Sequence, residues 1–167
     1  MPLVLPHLNE VLRWSYKESG VVQVEQSLIM EWKNGGVKMK AGQIMQKPVL
    51  ATTPRASVRD IALQLVTNGI SGMPVVERDG TVRGIVTEAD ILRVQAKGKQ
   101  FEALTAQDIM SANPIAVDVE TPIDDVKILL MEYHILRVPV VENGKLVGII
   151  SRRDIIKAML QPEFLIF

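Results

Sequence analysis

The sequence predicts a mixed α/β (α+β) protein built from two pseudo-symmetric βαββα units behind an N-terminal extension, and three observations predict it. The second half of the chain restates the first at a nearly constant offset. Each copy alternates short extended runs with helical periodicity. Each also carries an Asp-Gly or Asn-Gly pair between two apolar runs, a strong hairpin signal.

The repeat is read directly from the residues. Ile44-Met45 recurs as Ile109-Met110, an offset of 110 − 45 = 65. Pro74-Val75-Val76-Glu77 recurs as Pro139-Val140-Val141-Glu142 at the same offset, and Gly84-Ile85 recurs as Gly148-Ile149 at 148 − 84 = 64. The lost residue falls where Arg78-Asp79-Gly80 is replaced by Asn143-Gly144, and a hairpin turn tolerates such a deletion well.

Each copy begins with a short helix carrying the Ile-Met pair and passes into a Pro-headed extended segment, PVLAT or PIAVD. An amphipathic helix follows, with Val58, Ile61, Ala62, Leu65 and Val66 in the first copy and Ile123, Val126, Leu130 and Met131 in the second. Two strands are then predicted, MPVV turning into VRGIV and VPVV turning into LVGII. A closing helix runs from Thr87 to about Ala96 in one copy and from Ser151 to about Leu160 in the other, where Pro162 stops it. The resulting organisation is an extension over 1–40, units over 41–100 and 104–161, and a tail over 162–167, with 97–105 connecting the units. A unit of this size buries only about 60% of its unfolded surface, so the two are expected to share an interface.

Composition narrows the function classes. Nineteen basic and 19 acidic side chains balance, and aromatics make up 4% of the 167 residues, a poor basis for phosphate neutralisation and base stacking on nucleic acid. Cysteine is absent, which removes disulfides and thiolate chemistry. Histidine occurs only as His7 and His134, so neither a histidine-rich metal site nor a Ser-His-Asp triad is indicated. MPLVLPHLNEVLR lacks the basic start of a signal peptide, and no apolar run approaches the roughly 20 residues of a membrane span. No membrane association and a cytoplasmic location are expected.

Two segments, GIVTEAD (84–90) and GIISRRD (148–154), carry the candidate chemistry. A glycine ending a strand before a helix permits close backbone approach, and the first-turn N–H groups attract a phosphate. Thr87 or Ser151 adds a hydroxyl, while Asp90 or Asp154 offers a carboxylate that accepts from a sugar diol. The same Ser/Thr-x-x-Asp spacing also makes a helix capping box worth roughly 1 kcal/mol. Both roles stand open on the residues alone.

The Ile-Met openings, the segments GISGMPVV and HILRVPVV, and above all GIVTEAD and GIISRRD resemble the CBS domain, named after cystathionine β-synthase. Two in tandem over about 41 to 161 resemble a CBS pair, or Bateman module. The resemblance implies two clefts able to hold AMP, ADP, ATP, S-adenosylmethionine or a similar adenosyl ligand, no required cofactor, and a homodimer of pairs. It assigns the ribose hydroxyls to Asp90 and Asp154 and the neighbourhood of the phosphate to Thr87 and Ser151. It also places basic residues near phosphates, which here singles out Arg152, Arg153, Arg137 and His134 in the second copy. Backbone groups around Gly72-Met73 and Arg137-Val138 are where the family offers contacts to the adenine edge. Met73 and Val138 read otherwise as core residues, and Arg152 and Arg153 as solvated charges.

Residues 1 to about 40 lie outside the repeat. Leu5, Leu8, Val11, Leu12, Trp14 and Tyr16 fit one helix face, 21–32 is ambiguous between strand and helix, and Asn34-Gly35-Gly36 reads as a turn. Met39 is an alternative start. This extension and the apolar tail PEFLIF would cover a dimer face, an unidentified protein partner or the chain's own core. The functions that remain are a ligand-sensing regulatory module and a ligand-free dimerisation or protein-interaction module. An enzyme has no nucleophile-base pair, Walker loop, Rossmann fingerprint or metal spacing to support it.

Overall fold

The order of elements repeats as the sequence does, except that PVLAT, expected to be the first strand of its unit, pairs only through an isolated bridge of Thr52 with Val75, whereas PIAVD forms a strand. The structure, a computed structural model, describes residues 3–4 and 39–160. Strand β1 (Leu3–Val4) is followed by α1 (Ala41–Ile44), α2 (Val58–Asn68), β2 (Gly72–Val76), β3 (Val82–Thr87) and α3 (Glu88–Ala96). After a 3-10 turn (Phe101–Ala103) come α4 (Ala106–Ile109), β4 (Ser111–Ala112), β5 (Ile115–Asp118), α5 (Ile123–Glu132), β6 (Arg137–Glu142), β7 (Lys145–Ser151) and α6 (Arg152–Leu160). The sheets run β1-β5-β6-β7 and β2-β3-β4. No helix among the described residues is long and apolar enough to cross a membrane.

Two compact units form. Among the described residues unit 1 comprises Leu3, 48–116 and 141–147, and unit 2 comprises Val4, 39–47, 117–140 and 148–160. Unit 1 is cored by Ile61, Leu65, Met73, Val75, Val86 and Ala106, with a second cluster of Val82, Ala116 and Val141. Unit 2 buries Ile44, Val126, Leu130, Val138, Ile150, Ile155 and Ala158. These units do not follow the sequence repeats. Helix α1, which opens the first repeat, belongs to unit 2, and α4, which opens the second, belongs to unit 1.

The glycine-methionine contacts give the physical reason for that exchange. A Cβ on Gly84 would lie 2.8 Å from Met110 Cγ, and one on Gly148 would lie 2.6 Å from Met45 Cγ. Each repeated methionine therefore fills the space left by the repeated glycine of the other copy. Strand pairing continues the contact: Gly84 and Ile85 pair with Ala112 and Ser111, and Gln46 bridges Ile149.

Local chemistry fixes the remaining boundaries. Ser57 caps α2, its Oγ accepting from Asp60 N at 3.1 Å. Gly69 ends that helix in the left-handed region at φ 60°, and His134 does the same after α5 at φ 52°. The first hairpin turns through Arg78-Asp79-Gly80, with Gly80 at φ 85°, whereas Asn143 and Gly144 both take positive φ (49° and 77°), as a two-residue I′ turn requires. The one-residue difference between the repeats is this change of turn type.

The helical stripes are narrower than periodicity suggests. Val58, Ile61 and Leu65 are buried, but Val66 is 80% exposed, and in α5 Met131 is 52% exposed while Leu129 is buried. In both helices the outlier sits one position past the face that meets the core. The expectations for the extension, Leu3–Val4 aside, and for the tail fall outside the described residues.

Candidate functional site

The two Asp-containing motifs are built alike. In unit 1 Thr87 ends β3 in an extended conformation and caps α3. Thr87 N donates to Asp90 Oδ2 at 2.8 Å and Thr87 Oγ1 donates to the same oxygen at 2.6 Å, while Asp90 N reaches Thr87 Oγ1 at 3.4 Å. The Arg93 guanidinium, one turn further along α3, engages Oδ1. In unit 2 Ser151 N and Ser151 Oγ donate to Asp154 Oδ2 at 2.8 and 2.6 Å. Here Oδ1 accepts instead from Gln46 Nε2 at 3.0 Å. Gln46 is held in place by its backbone pairing with Ile149 (2.9 and 3.2 Å).

The capping reading and the ligand reading separate at a third box. Thr105 and Asp108, at the start of α4, make the same two bonds at 2.8 and 2.6 Å. These hold the Asp108 carboxyl below the usual range, the Thr105 hydroxyl contributing most and its backbone N–H next. Asp108 nevertheless stays exposed, whereas Asp90 and Asp154 are only 5% and 7% exposed. Capping thus requires no burial, and burying a carboxylate costs energy unless bonds replace its water. The two motif carboxylates are the unusual ones.

The other expected residues separate on inspection. Met73 and Val138 are fully buried. Gly72 pairs with Thr87 across β2 and β3, where a Cβ would stand 2.9 Å from Val86 O, so its lack of a side chain serves strand pairing beside the motif. Gly84 and Gly148, read from sequence as leaving room for a ligand, leave room for Met110 and Met45. Arg152 is exposed, and its Nε donates to Ile135 O at 3.0 Å and its Nη2 to Leu130 O at 2.9 Å, tying down the C-terminal end of α5. Arg153 is exposed, Arg137 is half-buried at the start of β6, and His134 is exposed in its left-handed turn.

Sequence reading missed the residues that surround Asp90. A cavity of about 150 Å³ in unit 1 is lined by Asp90, Arg93, Lys97, Lys99, Leu104 and Asp108, among others. Its volume is below the roughly 300–1,000 Å³ of sites that enclose a whole ligand, so it suits part of one. The i,i+3 spacing of Asp90 and Arg93 on one helix was a legible signal. Participation of Leu104 and Asp108 was not, because it depends on the exchange of α4. A wider concavity of about 960 Å³ in unit 1, lined in part by Thr53, Arg55, Arg78, Arg83 and Gln107, contains none of the expected site residues. Among the described residues no group of three or more metal-ligating side chains converges.

The family described as CBS domain matches residues 41–97 and 106–161. An uncharacterized protein of Methanopyrus kandleri is 30% identical over 121 residues, 71% of this chain and 62% of that protein. The chain therefore spans about three-fifths of that relative's length. The structure of CBSX2 from Arabidopsis thaliana in complex with AMP is similar at 28% identity and a TM-score of 0.69, covering 75% of this chain and 98% of that one. A CBS domain pair in complex with 5′-methylthioadenosine and S-adenosyl-L-methionine is similar at 29% identity and a TM-score of 0.68, covering 76% and 100%.

Proposed function

This chain belongs to the CBS domain family, and from that premise we propose that it is a non-catalytic regulatory module that binds an adenine nucleotide or related adenosyl ligand. The observation that carries the reading is the pair of buried carboxylates, Asp90 and Asp154, each at a helix start and each bonded through one oxygen to a capping Thr or Ser. An ionised carboxylate accepts and does not donate, so two ribose hydroxyls suit it. A ligand arriving at Asp90 exchanges its hydroxyls for the Arg93 contact, and one arriving at Asp154 exchanges them for Gln46. Similar CBS pairs solved with AMP, 5′-methylthioadenosine and S-adenosyl-L-methionine support the ligand class. Thr87, Ser151, the backbone at Gly72 and Met73 or Arg137 and Val138, and the side chains of Arg153 and His134 complete the assigned contacts. Arg152 contributes by fixing α5. A cytoplasmic homodimer acting on a protein partner belongs to the same reading, since binding regulates only if it favours one of two states.

Calorimetric titration of the purified chain with AMP, ATP and S-adenosylmethionine tests this. Binding that disappears in Asp90→Ala or Asp154→Ala is the expected result, and no heat with any of the three removes the reading. A second reading, a ligand-free dimerisation module, is favoured by the complete capping box at Thr87, by the matching bond from Ser151 N to Asp154, and by the exposed Leu63, Val66 and Leu92. Under it the same variants lose stability and nothing else.

A further inference from the structure

The wider concavity of unit 1, about 960 Å³, carries a charge imbalance that the Asp90 motif does not use. Strand register creates it. Thr52 bridges Val75 in parallel, with Thr52 N donating to Pro74 O at 2.9 Å and Val76 N to Thr52 O at 2.8 Å, so the two segments leave the sheet side by side. Three residues along each, Arg55 and Arg78 both line the concavity. Backbone bonds fix the two segments: Gln107 N donates to Pro54 O at 3.0 Å, and the hairpin closes through Glu77 N to Thr81 O and Gly80 N to Glu77 O, each at 2.9 Å.

The carboxylates on this surface are already engaged. Glu77 accepts from Arg83 Nε at 3.0 Å, while Asp79 accepts from Thr81 N and Thr81 Oγ1, both at 3.0 Å, and from Lys145 Nζ. Arg55 and Arg78 are exposed and have no acidic partner among the described residues. The repeated scaffold does not require them. In the second repeat Val119-Glu120-Thr121 and Asn143-Gly144 replace the segments that carry Arg55 and Arg78, and Val147 stands for Arg83.

A guanidinium takes an anionic group through two parallel hydrogen bonds and keeps its charge at any physiological pH. Two unpaired guanidiniums on one concavity therefore suit a ligand with two anionic groups. Phosphoryl groups fit better than carboxylates, because each brings more charge and three acceptor oxygens. The lining adds Thr53, Arg83 and Gln107 as donors but only Pro54 and Val76 as apolar side chains, too few to enclose an aromatic base. We propose that this concavity binds a polar small molecule carrying two phosphoryl groups, held by Arg55 and Arg78. The site is separate from both Asp motifs and does not depend on the adenosyl-binding reading.

Calorimetric titration of the full chain with pyrophosphate, a hexose 1,6-bisphosphate and orthophosphate tests the proposal. At least one of the two-phosphate probes should bind about tenfold more tightly than orthophosphate, and which of them does so reports the spacing that the arginines prefer. Arg55→Ala/Arg78→Ala should weaken that probe about tenfold, with a thermal melt that overlays the parent's because both side chains are exposed. In amide NMR spectra of the parent, the probe should shift residues 53–55, 77–83 and 107 and leave 87–90 and 151–154 in place. Affinity no better than that of orthophosphate, affinity that survives the double substitution, or shifts confined to the two Asp motifs overturns the proposal.

Discussion

Asp90 and Asp154 occupy equivalent positions, are equally buried, and make the same two bonds to a neighbouring hydroxyl residue, yet they differ in what holds their second oxygen. Asp90 is met by a cation on its own helix, 66% exposed, and Asp154 by a neutral amide that arrives with α1 from the other repeat. An exposed ion pair is screened by water and contributes little. A part-buried bond to a carboxylate from an anchored segment contributes more. The same motif is therefore open to exchange in unit 1 and braced in unit 2.

The strongest way to break the comparison is to remove the glycine that lets α1 or α4 seat. Gly148→Ala and Gly84→Ala drive a methyl group into Met45 and Met110 and should each cost about 1–3 kcal/mol, read by thermal or urea denaturation. Met45→Ala added to Gly148→Ala should recover part of that loss, and failure to do so would place the strain elsewhere. Next in size, Gln46→Ala should cost about 1 kcal/mol and Arg93→Ala less than about 0.5 kcal/mol, although each removes one bond to an equivalent carboxylate. Equal losses would erase the distinction between the units.

Turn chemistry offers a gain instead of a loss. His134 holds a left-handed conformation that Gly69 holds in the first repeat, and relieving it with His134→Gly should stabilise by about 1 kcal/mol at most. The smallest effect is electrostatic. Asp79, in the first hairpin, has its pKa lowered to about 2, by the Lys145 hydrogen bond first and the Thr81 backbone and hydroxyl next. Because the folded value lies below the ordinary 3.8, this contribution is complete above pH 4 and is lost as the pH falls toward about 2. The second hairpin has Asn143-Gly144 and no such carboxylate. An NMR titration of Asp79 should show the low midpoint, and Asp79→Asn should remove this part of the acid sensitivity.

The capping box at Thr87 and Asp90 was legible because its spacing alone brings the groups together. So was the hairpin change from three residues to two. The Lys97-Lys99 cluster was not singled out, since a run of lysines after a helix reads as solvated surface until Leu104 and Asp108 close a cavity against it. Nor did its position within the motif reveal that the exposed Arg152 side chain donates to the carbonyls of Leu130 and Ile135, 22 and 17 residues away.

The sequence by itself determined the two repeats, their amphipathic and closing helices, their hairpins and their caps, all of which depend on residues within a few positions of one another. It also placed an Asp at the start of two equivalent helices. Only the tertiary structure decided that each Ile-Met helix packs in the unit of the other repeat, that Gln46 rather than a cation braces Asp154, and that Asp90 is buried while Asp108 is not. Those outcomes turn on how well side chains far apart in the chain fill one another's space, and no local spacing encodes that fit.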